Sequence, residues 1–193
     1  MTRPMLAGPR LWLRPIEVED LEAHVAAVND PLVGEPAGYT VPLGRAGAEH
    51  WFERTKERIL TGEMLYFAVC ELGDDRFIGA ISLRGFEPVD GHAELGIYMD
   101  REHQGSGWGT EAQGVLLDHA FGELRMQRIE LTVSPSNSRA IRSYEKVGFV
   151  REGVLRHVYW HRGAWEDAVL MSILHNEWMS GERPRSWEIT EPA

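Results

Sequence analysis

The chain has 193 residues, of which 43% are hydrophobic and 26% are charged, as in an ordinary globular domain. No apolar run approaches the roughly 20 residues that a membrane span needs, and the N-terminus lacks the continuous apolar stretch of a secretory signal. Acidic residues outnumber basic ones by 30 to 20, and the formal charge of −10 would repel nucleic-acid phosphates and attract a cation. We therefore expect a single domain over residues 1–193 that binds no membrane and, directly, no nucleic acid.

The chain contains one cysteine, Cys70, so no internal disulfide can form. This fits a reducing compartment, and we expect a cytoplasmic location. Because Cys70 lies within a predicted strand and has no basic partner nearby in sequence, we interpret it as a buried, unreactive thiol.

Four segments are predicted in the first third of the chain. Alternating apolar and polar residues predict a strand over 10–16. A helix is predicted over 18–28, followed by a proline- and glycine-rich loop over 30–44 of the kind that often forms a binding element or lid. A second helix is indicated by residues spaced as one helical face, which are Ala48, Trp51, Phe52, Thr55 and Ile59.

The middle of the chain predicts three strands and a helix. Strands over 64–72 and 76–86 are joined by Gly73-Asp74-Asp75, a short link that is typical of a hairpin. A third strand over 93–99 leads through a glycine-rich loop into a helix over 108–121.

The last third predicts a strand over 127–133 and a helix over 138–147, which Gly148 ends in the position of a left-handed cap. A final hairpin is formed by strands over 150–160 and 165–174. The resulting order, β-α-α-β-β-β-α-β-α-β-β, places the chain in the α/β (α+β) class with a mixed sheet.

The strongest chemical signal is a glycine-rich run between a predicted strand and a predicted helix. Closely spaced glycines let backbone N–H groups approach an anion, and a helix N-terminus adds the positive end of its dipole. The sequence therefore predicts a pyrophosphate site at Gln104, Gly105, Ser106, Gly107, Trp108, Gly109 and Thr110.

Three kinds of phosphate loop come into question. A P-loop requires Gly-Lys-Ser/Thr, which the chain lacks, and a dinucleotide loop requires G-x-G-x-x-G, which only the variant ending at Ala112 fits. The strand before the loop is also not the first of a βαβαβ series. The third pattern, Q/R-x-x-G-x-G/A, is filled by Gln104, Gly107 and Gly109 and resembles the acyl-CoA loop of GNAT enzymes.

A second motif supports this resemblance. Residues 137–149, NSRAIRSYEKVGF, are similar to the GNAT pattern N-x-x-A/S followed by Y-E-K-x-G-F. Residues 11–15, 151–153 and 165–167 resemble the branch of ribosomal-protein N-acetyltransferases. The chain thus resembles the GNAT N-acetyltransferase family over about residues 10–178, which we take as the core, with 179–193 as a C-terminal tail.

The resemblance implies a GNAT fold, a single mixed, mostly antiparallel twisted sheet of six to seven strands flanked by about four helices. It implies acetyl-CoA as co-substrate, no metal, and a primary amine as acceptor, attacked directly in a ternary complex. The acceptor would be a protein N-terminal residue, such as that of a ribosomal protein, or a small-molecule amine. Dimers are common in the family, so a homodimer is also expected.

The family further implies where the coenzyme lies. Its pantetheine arm would run beside the strand before the loop, contacting the backbone of Ile97, Tyr98 and Met99, and one of these N–H groups would polarise the thioester oxygen. Asn137 would hold the same arm. Arg139 and Arg142 could meet the 3′-phosphate, although a solvated basic face explains them equally well.

Two residues are candidates for proton transfer. Tyr144 lies close to two helical turns after Asn137, and spacing alone allows either a core aromatic or a functional residue. The family implies that Tyr144 is the general acid that protonates the leaving thiolate. Glu94, at the start of the strand before the loop, would be the general base, with a structural ion pair as the alternative and His92 and Asp100 as weaker candidates.

Two rival functions remain open at this point. A non-catalytic acyl-CoA-binding or sensing module would keep the loop but not both Tyr144 and Glu94. A nucleotide-binding oxidoreductase would need a parallel doubly wound sheet, which the two predicted hairpins oppose. His157 and His161 flank a predicted turn without a third ligand, so no metal site is predicted.

Overall fold

The computed structural model of the chain describes residues 5–87 and 89–188. The first four residues and the last five residues of the predicted tail lie outside the described residues. Seven strands are described: β1 (Leu11–Pro15), β2 (Met64–Glu71), β3 (Phe77–Glu87), β4 (His92–Met99), β5 (Arg128–Val133), β6 (Val150–His161) and β7 (Ala164–Leu174).

The described residues form six helices besides a short 3-10 turn at Val18–Asp20. They are α1 (Leu21–Asn29), α2 (Pro31–Gly34), α3 (Arg45–Leu60), α4 (Trp108–Gly122), α5 (Ser138–Val147) and α6 (His175–Ser180). No helix among the described residues is long and apolar enough to cross a membrane.

The strands form one sheet in the order β1-β2-β3-β4-β5-β7-β6. All neighbours are antiparallel except β4 and β5, which run parallel. The structure therefore confirms the mixed, mostly antiparallel sheet with seven strands. The parallel pairing is short, since only residues 92–94 of β4 pair with residues 128–130 of β5. Beyond those residues the two strands no longer pair, and the sheet opens between them.

Helices cover both faces of the sheet. The largest buried cluster joins the sheet to α4 and α5, with Leu116 and Ile141 among its members. On the other face Leu21 of α1 packs with Ala48 and Phe52 of α3. The sheet thus lies between two helix layers, and α4 contacts β4, the strand that borders the opening.

Two short helices were not predicted from the sequence. Within the predicted loop, Asp30 accepts a hydrogen bond from the Leu32 N–H and Pro31 occupies the first turn of α2, where a missing N–H costs nothing. At the end of β7, the Glu177 carboxylate accepts from the Leu174 N–H and starts α6. Each helix has six residues or fewer, too short to show a helical period.

The C-terminal segment is anchored on α4 by a buried carboxylate. Asp118, whose side chain is 1% exposed, accepts hydrogen bonds from the Trp178 indole (3.1 Å), the Arg183 guanidinium (2.5 Å) and the Ser186 N–H (2.7 Å). The Arg183 guanidinium also lies 3.5 Å from the centre of the Trp178 ring. Residues 181–188, which we predicted to be a tail beyond the core, therefore pack against α4.

We expect Asp118→Ala to destabilise the protein by about 3 kcal/mol, because it leaves the buried Trp178 indole and the half-buried Arg183 guanidinium without their acceptor. Urea unfolding measures the change, and Glu123→Ala, which removes an exposed carboxylate just after the same helix, is the control. A loss for Asp118→Ala no larger than that of the control would show that solvent replaces the anchor.

Candidate active site

The opening between β4 and β5 exposes a specific set of backbone groups. The Asp100 N–H donates to the Ile78 carbonyl of β3 (2.9 Å), and the β3–β4 register is regular from Gly79–Met99 back to Arg84–Glu94. In a regular antiparallel pair alternate residues point their N–H and C=O groups to the same neighbour. The Tyr98 backbone therefore bonds to β3, and the N–H groups of Ile97 and Met99 face the opening.

The glycine-rich loop lies at the end of β4 and leads into α4. Gly105 and Gly107 have φ values of +82° and +87°, which favour glycine, and Gly107 is the N-cap of α4. No side chain caps this terminus. The N–H groups of the first turn, after Gly107, have no partner within the helix and are available to an anion. A Cβ on Gly109 would lie 3.5 Å from Met99, so this glycine allows α4 to approach β4 closely.

Side chains fix the loop from both ends. The Gln104 amide donates to the Met99 carbonyl (3.0 Å), and the Thr110 hydroxyl lies 3.1 Å from that of Ser143 on α5. His103, which we did not predict as part of the site, bonds through Nδ1 to Asp100 (2.6 Å) and through Nε2 to Glu71 (3.0 Å). The partner Glu71 is 32 residues away in sequence, so no local signal could have identified this contact.

Tyr144 is both a core residue and a chemically competent phenol. Its ring packs edge-on against Phe149, with centroids 5.8 Å apart, and the side chain is 8% exposed. Burial, with a smaller effect of the neighbouring Tyr159, raises the pKa of Tyr144 to about 12. The hydroxyl makes no hydrogen bond to a described residue. It therefore keeps its proton at neutral pH and is free to donate it.

The other residues predicted on α5 have different environments. The Asn137 side-chain oxygen accepts from the Ala140 N–H (3.2 Å), so this residue caps the helix. Arg139 and Arg142 are exposed and form no ion pair with a described residue. Both arginines are therefore available to a ligand, whereas the Asn137 side chain is used to cap α5.

Glu94 forms an ion pair across the β3–β4 hairpin. Its two carboxylate oxygens accept from Arg84 at 3.1 and 2.7 Å, and its side chain is 35% exposed. The structural ion pair that the sequence left open is therefore present. Of the weaker candidates, the Asp100 carboxylate accepts from the His103 N–H, whereas Nε2 of His92 lies 3.2 Å from Glu130 but forms no hydrogen bond to a described residue.

The face of the sheet that carries Glu94 also carries Tyr98. The Tyr98 hydroxyl lies 2.5 Å from Nδ1 of His24, whose ring stacks on Trp51 with centroids 4.1 Å apart. Burial lowers the pKa of His24 to about 4, so the imidazole is neutral at neutral pH. These rings form a rigid wall beside the end of β4, and the pairing of His24 with Tyr98 was not evident from the sequence because 74 residues separate them.

A polar bridge connects the loop after α2 to the tip of the β6–β7 hairpin. His161 lies 3.0 Å from Glu166 through Nδ1 and 3.2 Å from Glu35 through Nε2, and Arg162 also contacts Glu35 at 3.1 Å. Glu166 and Glu35 raise the pKa of His161, and His161 lowers the pKa of both carboxylates. The predicted binding loop is therefore tied by charge to the last hairpin.

Comparison with known proteins gives a consistent result. Residues 10–150 match the model of the acetyltransferase (GNAT) domain. The probable N-acetyltransferase YjcK of Bacillus subtilis (strain 168) is 32% identical to this chain, and the match covers 89% of the chain and 97% of that protein. The spermidine N-acetyltransferase of Vibrio cholerae, solved in complex with CoA and spermine, is 26% identical, with a TM-score of 0.80 over 90% of this chain and all of that one.

The ribosomal-protein branch is matched only loosely. The ribosomal-protein-serine acetyltransferase of Escherichia coli (strain K12) is 36% identical, but over 101 residues that cover 50% of this chain and 54% of that protein. The matches to the GNAT domain and to the two proteins above cover much more of the chain than this partial match does. The chain belongs to the GNAT acetyltransferase family and is an acetyl-CoA-dependent N-acetyltransferase.

Proposed function

We propose that this chain acetylates a primary amine by direct attack in a ternary complex, at the opening between β4 and β5. The observation that carries the proposal is the early end of the β4–β5 pairing at Glu94 and Glu130, which leaves the last part of β4, up to Met99, unpaired on that side before the glycine-rich loop. The unpaired end of β4 presents backbone N–H donors to an extended ligand. The free N–H groups after Gly107, which we call the anion cradle, lie at the start of α4.

The described residues fit acetyl-CoA. The N–H groups of Ile97 and Met99 can pair with an extended chain as a further strand would, and the left-handed Gly105 and Gly107 open the loop to phosphate oxygens. When bound, acetyl-CoA supplies an activated acyl group and a thiolate leaving group. The N–H of Ile97 or Met99 would stabilise the negative charge that develops on the acyl oxygen, a contribution of about 10²–10³ in rate.

Two protein groups would move protons. The buried Tyr144 phenol would donate its proton to the sulfur, because it is protonated at neutral pH and its hydroxyl has no partner among the described residues. Glu94 would accept a proton from the ammonium form of the acceptor through water, while Arg84 holds the carboxylate in place. In this proposal Glu94 is the base, and its ion pair with Arg84 fixes the position of the carboxylate.

The acceptor is inferred to be a cationic small-molecule amine or a protein N-terminus. A net charge of −10 favours a cationic amine, and relatives that align with most of the chain include spermidine N(1)-acetyltransferase of Escherichia coli (strain K12), 26% identical over 93% of the chain. The partial match to the ribosomal-protein-serine enzyme keeps N-terminal peptides in the set of candidates. The homodimer and the cytoplasmic location stay predictions.

An acceptor screen tests the proposed function. Purified protein is incubated with acetyl-CoA and either spermidine, spermine or peptides that begin with alanine or serine, and the release of free thiol is measured. Turnover with an amine supports the enzyme. Binding of acetyl-CoA without turnover on any amine would favour the non-catalytic acyl-CoA-binding module instead.

We expect Tyr144→Phe to lower kcat about 10²-fold while acetyl-CoA affinity stays within twofold, because the ring still packs against Phe149 and only the acidic proton is lost. Steady-state kinetics and calorimetry measure the two quantities. A kcat within about threefold of the wild type would assign protonation of the sulfur to another group.

We expect Glu94→Gln to lower kcat/KM most at neutral pH and to recover partly in alkali, as the free-amine fraction of the acceptor grows. The pH–rate profile is measured with a lysine-type and an α-amino acceptor, and the α-amine should be less affected because its ordinary pKa is about two units lower. Glu53→Gln, on the exposed face of α3, is the control. A profile that overlays the wild type excludes Glu94 as the base.

We expect the bridge at His161 to weaken as pH rises above about 6.5, the ordinary pKa of histidine. Its carboxylate partners raise the pKa of His161, so the charged contact is complete below 6.5 and is lost as pH rises through the raised value; the Arg162–Glu35 contact persists. Hydrogen exchange of residues 30–44, corrected for the intrinsic pH dependence, should increase between pH 6 and 8.5. His161→Asn should remove this pH dependence, and equal changes in both proteins would contradict the bridge.

A further inference from the structure

The N-terminal segment folds back onto the first turn of α4. The Gly8 N–H donates to the Leu11 carbonyl and the Leu13 N–H to the Leu6 carbonyl, both at 2.8 Å, which forms a tight return before β1. A Cβ on Gly8 would lie 2.6 Å from Oε1 of Glu111. Glycine at this position therefore makes room for the Glu111 carboxylate, and the return is shaped to receive it.

Arg10, at the end of this return, contacts both the glycine-rich loop and the first turn of α4. Its backbone N–H and its Nε donate to the two oxygens of Glu111 at 2.8 and 2.7 Å, and Nη1 donates to the Ser106 carbonyl (3.3 Å). The guanidinium lies 4.4 Å from the centre of the Trp108 ring, a cation–π distance. These contacts fix the guanidinium directly beside the loop.

One donor of Arg10 remains without a partner. Nη2 makes no hydrogen bond to a described residue, and it lies 3.5 Å from the position of a Cβ on Gly107. The side chain is 44% exposed, so a ligand in the loop can reach the guanidinium. Gly107 is the N-cap of α4, and the N–H groups that follow it have no partner within the helix, so the free donor lies beside the N–H groups that are available to an anion.

Arg10 also neutralises a carboxylate that lies next to the glycine-rich loop. Glu111 lies in the first turn of α4, where a carboxylate suits the helix dipole but would repel a pyrophosphate. Arg10 cancels that charge and keeps further donors for the ligand. Arg139 and Arg142, the arginines that the sequence suggested for phosphate binding, are exposed and unanchored, so each would lose more side-chain entropy on binding.

We propose that Arg10 is a coenzyme-binding residue whose Nη2 donates to a pyrophosphate oxygen held at residues 105–110. The inference rests on the proposed role of the glycine-rich loop. It makes the N-terminal return part of the coenzyme site, with Glu111 and Trp108 as the residues that position the guanidinium. Glu111 thus acts through Arg10 and does not touch the ligand.

Calorimetry with three ligands tests this proposal. CoA carries the pyrophosphate and the 3′-phosphate, dephospho-CoA carries only the pyrophosphate, and pantetheine carries neither. Arg10→Gln should weaken CoA and dephospho-CoA equally, by at least tenfold, and leave pantetheine unchanged. The dependence of log K on log salt should become shallower, since one phosphate contact is removed. Arg45→Gln, which removes an exposed arginine on α3, should bind all three as the wild type does.

Two further variants separate direct contact from charge cancellation and from loss of structure. In the Arg10→Gln/Glu111→Gln double variant the affinity should stay low, because the donor is still missing. Arg10→Lys keeps the charge but places its donors on one nitrogen, and its CoA affinity should lie between those of the wild type and Arg10→Gln. Thermal unfolding of each variant confirms that the fold is intact. Full recovery in the double variant, or Arg10→Gln within twofold of the wild type, overturns the proposal.

The same experiment distinguishes this proposal from the assignment of the loop itself. Gly107→Val places a branched side chain in the cradle and should weaken CoA at least tenfold. If Gly107→Val binds CoA as the wild type does, the loop is not the phosphate site and both inferences fail. If Gly107→Val is impaired and Arg10→Gln is not, only the role of Arg10 is lost.

Discussion

The early end of the β4–β5 pairing is the constraint on which the site depends. Parallel pairing stops at Glu94 and Glu130, although β4 continues to Met99 and β5 to Val133. Backbone groups that leave a ladder inside a fold need another partner, because an unpaired buried N–H is costly. The N–H groups of Ile97 and Met99 are therefore the ones that we propose to bind a ligand, and the free N–H groups at the start of α4 follow at the end of this stretch of β4.

The electrostatics of the chain suit two substrates of opposite charge. The molecule as a whole is acidic, which attracts a cationic amine, whereas the coenzyme carries phosphates. In the proposed function the glycine-rich loop would meet both requirements, because backbone N–H groups and a helix terminus bind anions without adding formal charge. Arg10 completes the balance, since it neutralises Glu111 at the point where the loop becomes a helix.

Local chemistry explains what could be predicted from the sequence. The bounds of α5 follow from the Asn137 cap and from Gly148 at φ +118°, both of which are visible in the order of residues, and the glycine-rich loop is a local signal of the same kind. Contacts between distant segments were not predictable: Arg10 and Glu111 are 101 residues apart, and Asp118 and Ser186 are 68 apart. Such pairs depend on how the sheet brings the N- and C-terminal segments onto α4. The spacing of apolar and polar residues along the sequence carries no information about this arrangement.

The two proton-transfer candidates differ in the way their surroundings set their chemistry. Tyr144 is enclosed by apolar neighbours, and burial, with a smaller effect of Tyr159, raises the pKa of Tyr144 to about 12, so the phenol is protonated at neutral pH. In the proposed reaction it would donate this proton to the sulfur as the carbon–sulfur bond breaks, and solvent would then reprotonate the phenolate. Glu94 is partly exposed and held by two hydrogen bonds from Arg84, so one lone pair on each carboxylate oxygen is already engaged. To accept a proton, it must use a remaining lone pair through solvent or release one bond to Arg84. The proposed acid is therefore set by the core of the fold and the proposed base by a surface ion pair. For this reason we expect proton transfer to Glu94 to depend more on the acceptor and on pH than proton transfer from Tyr144.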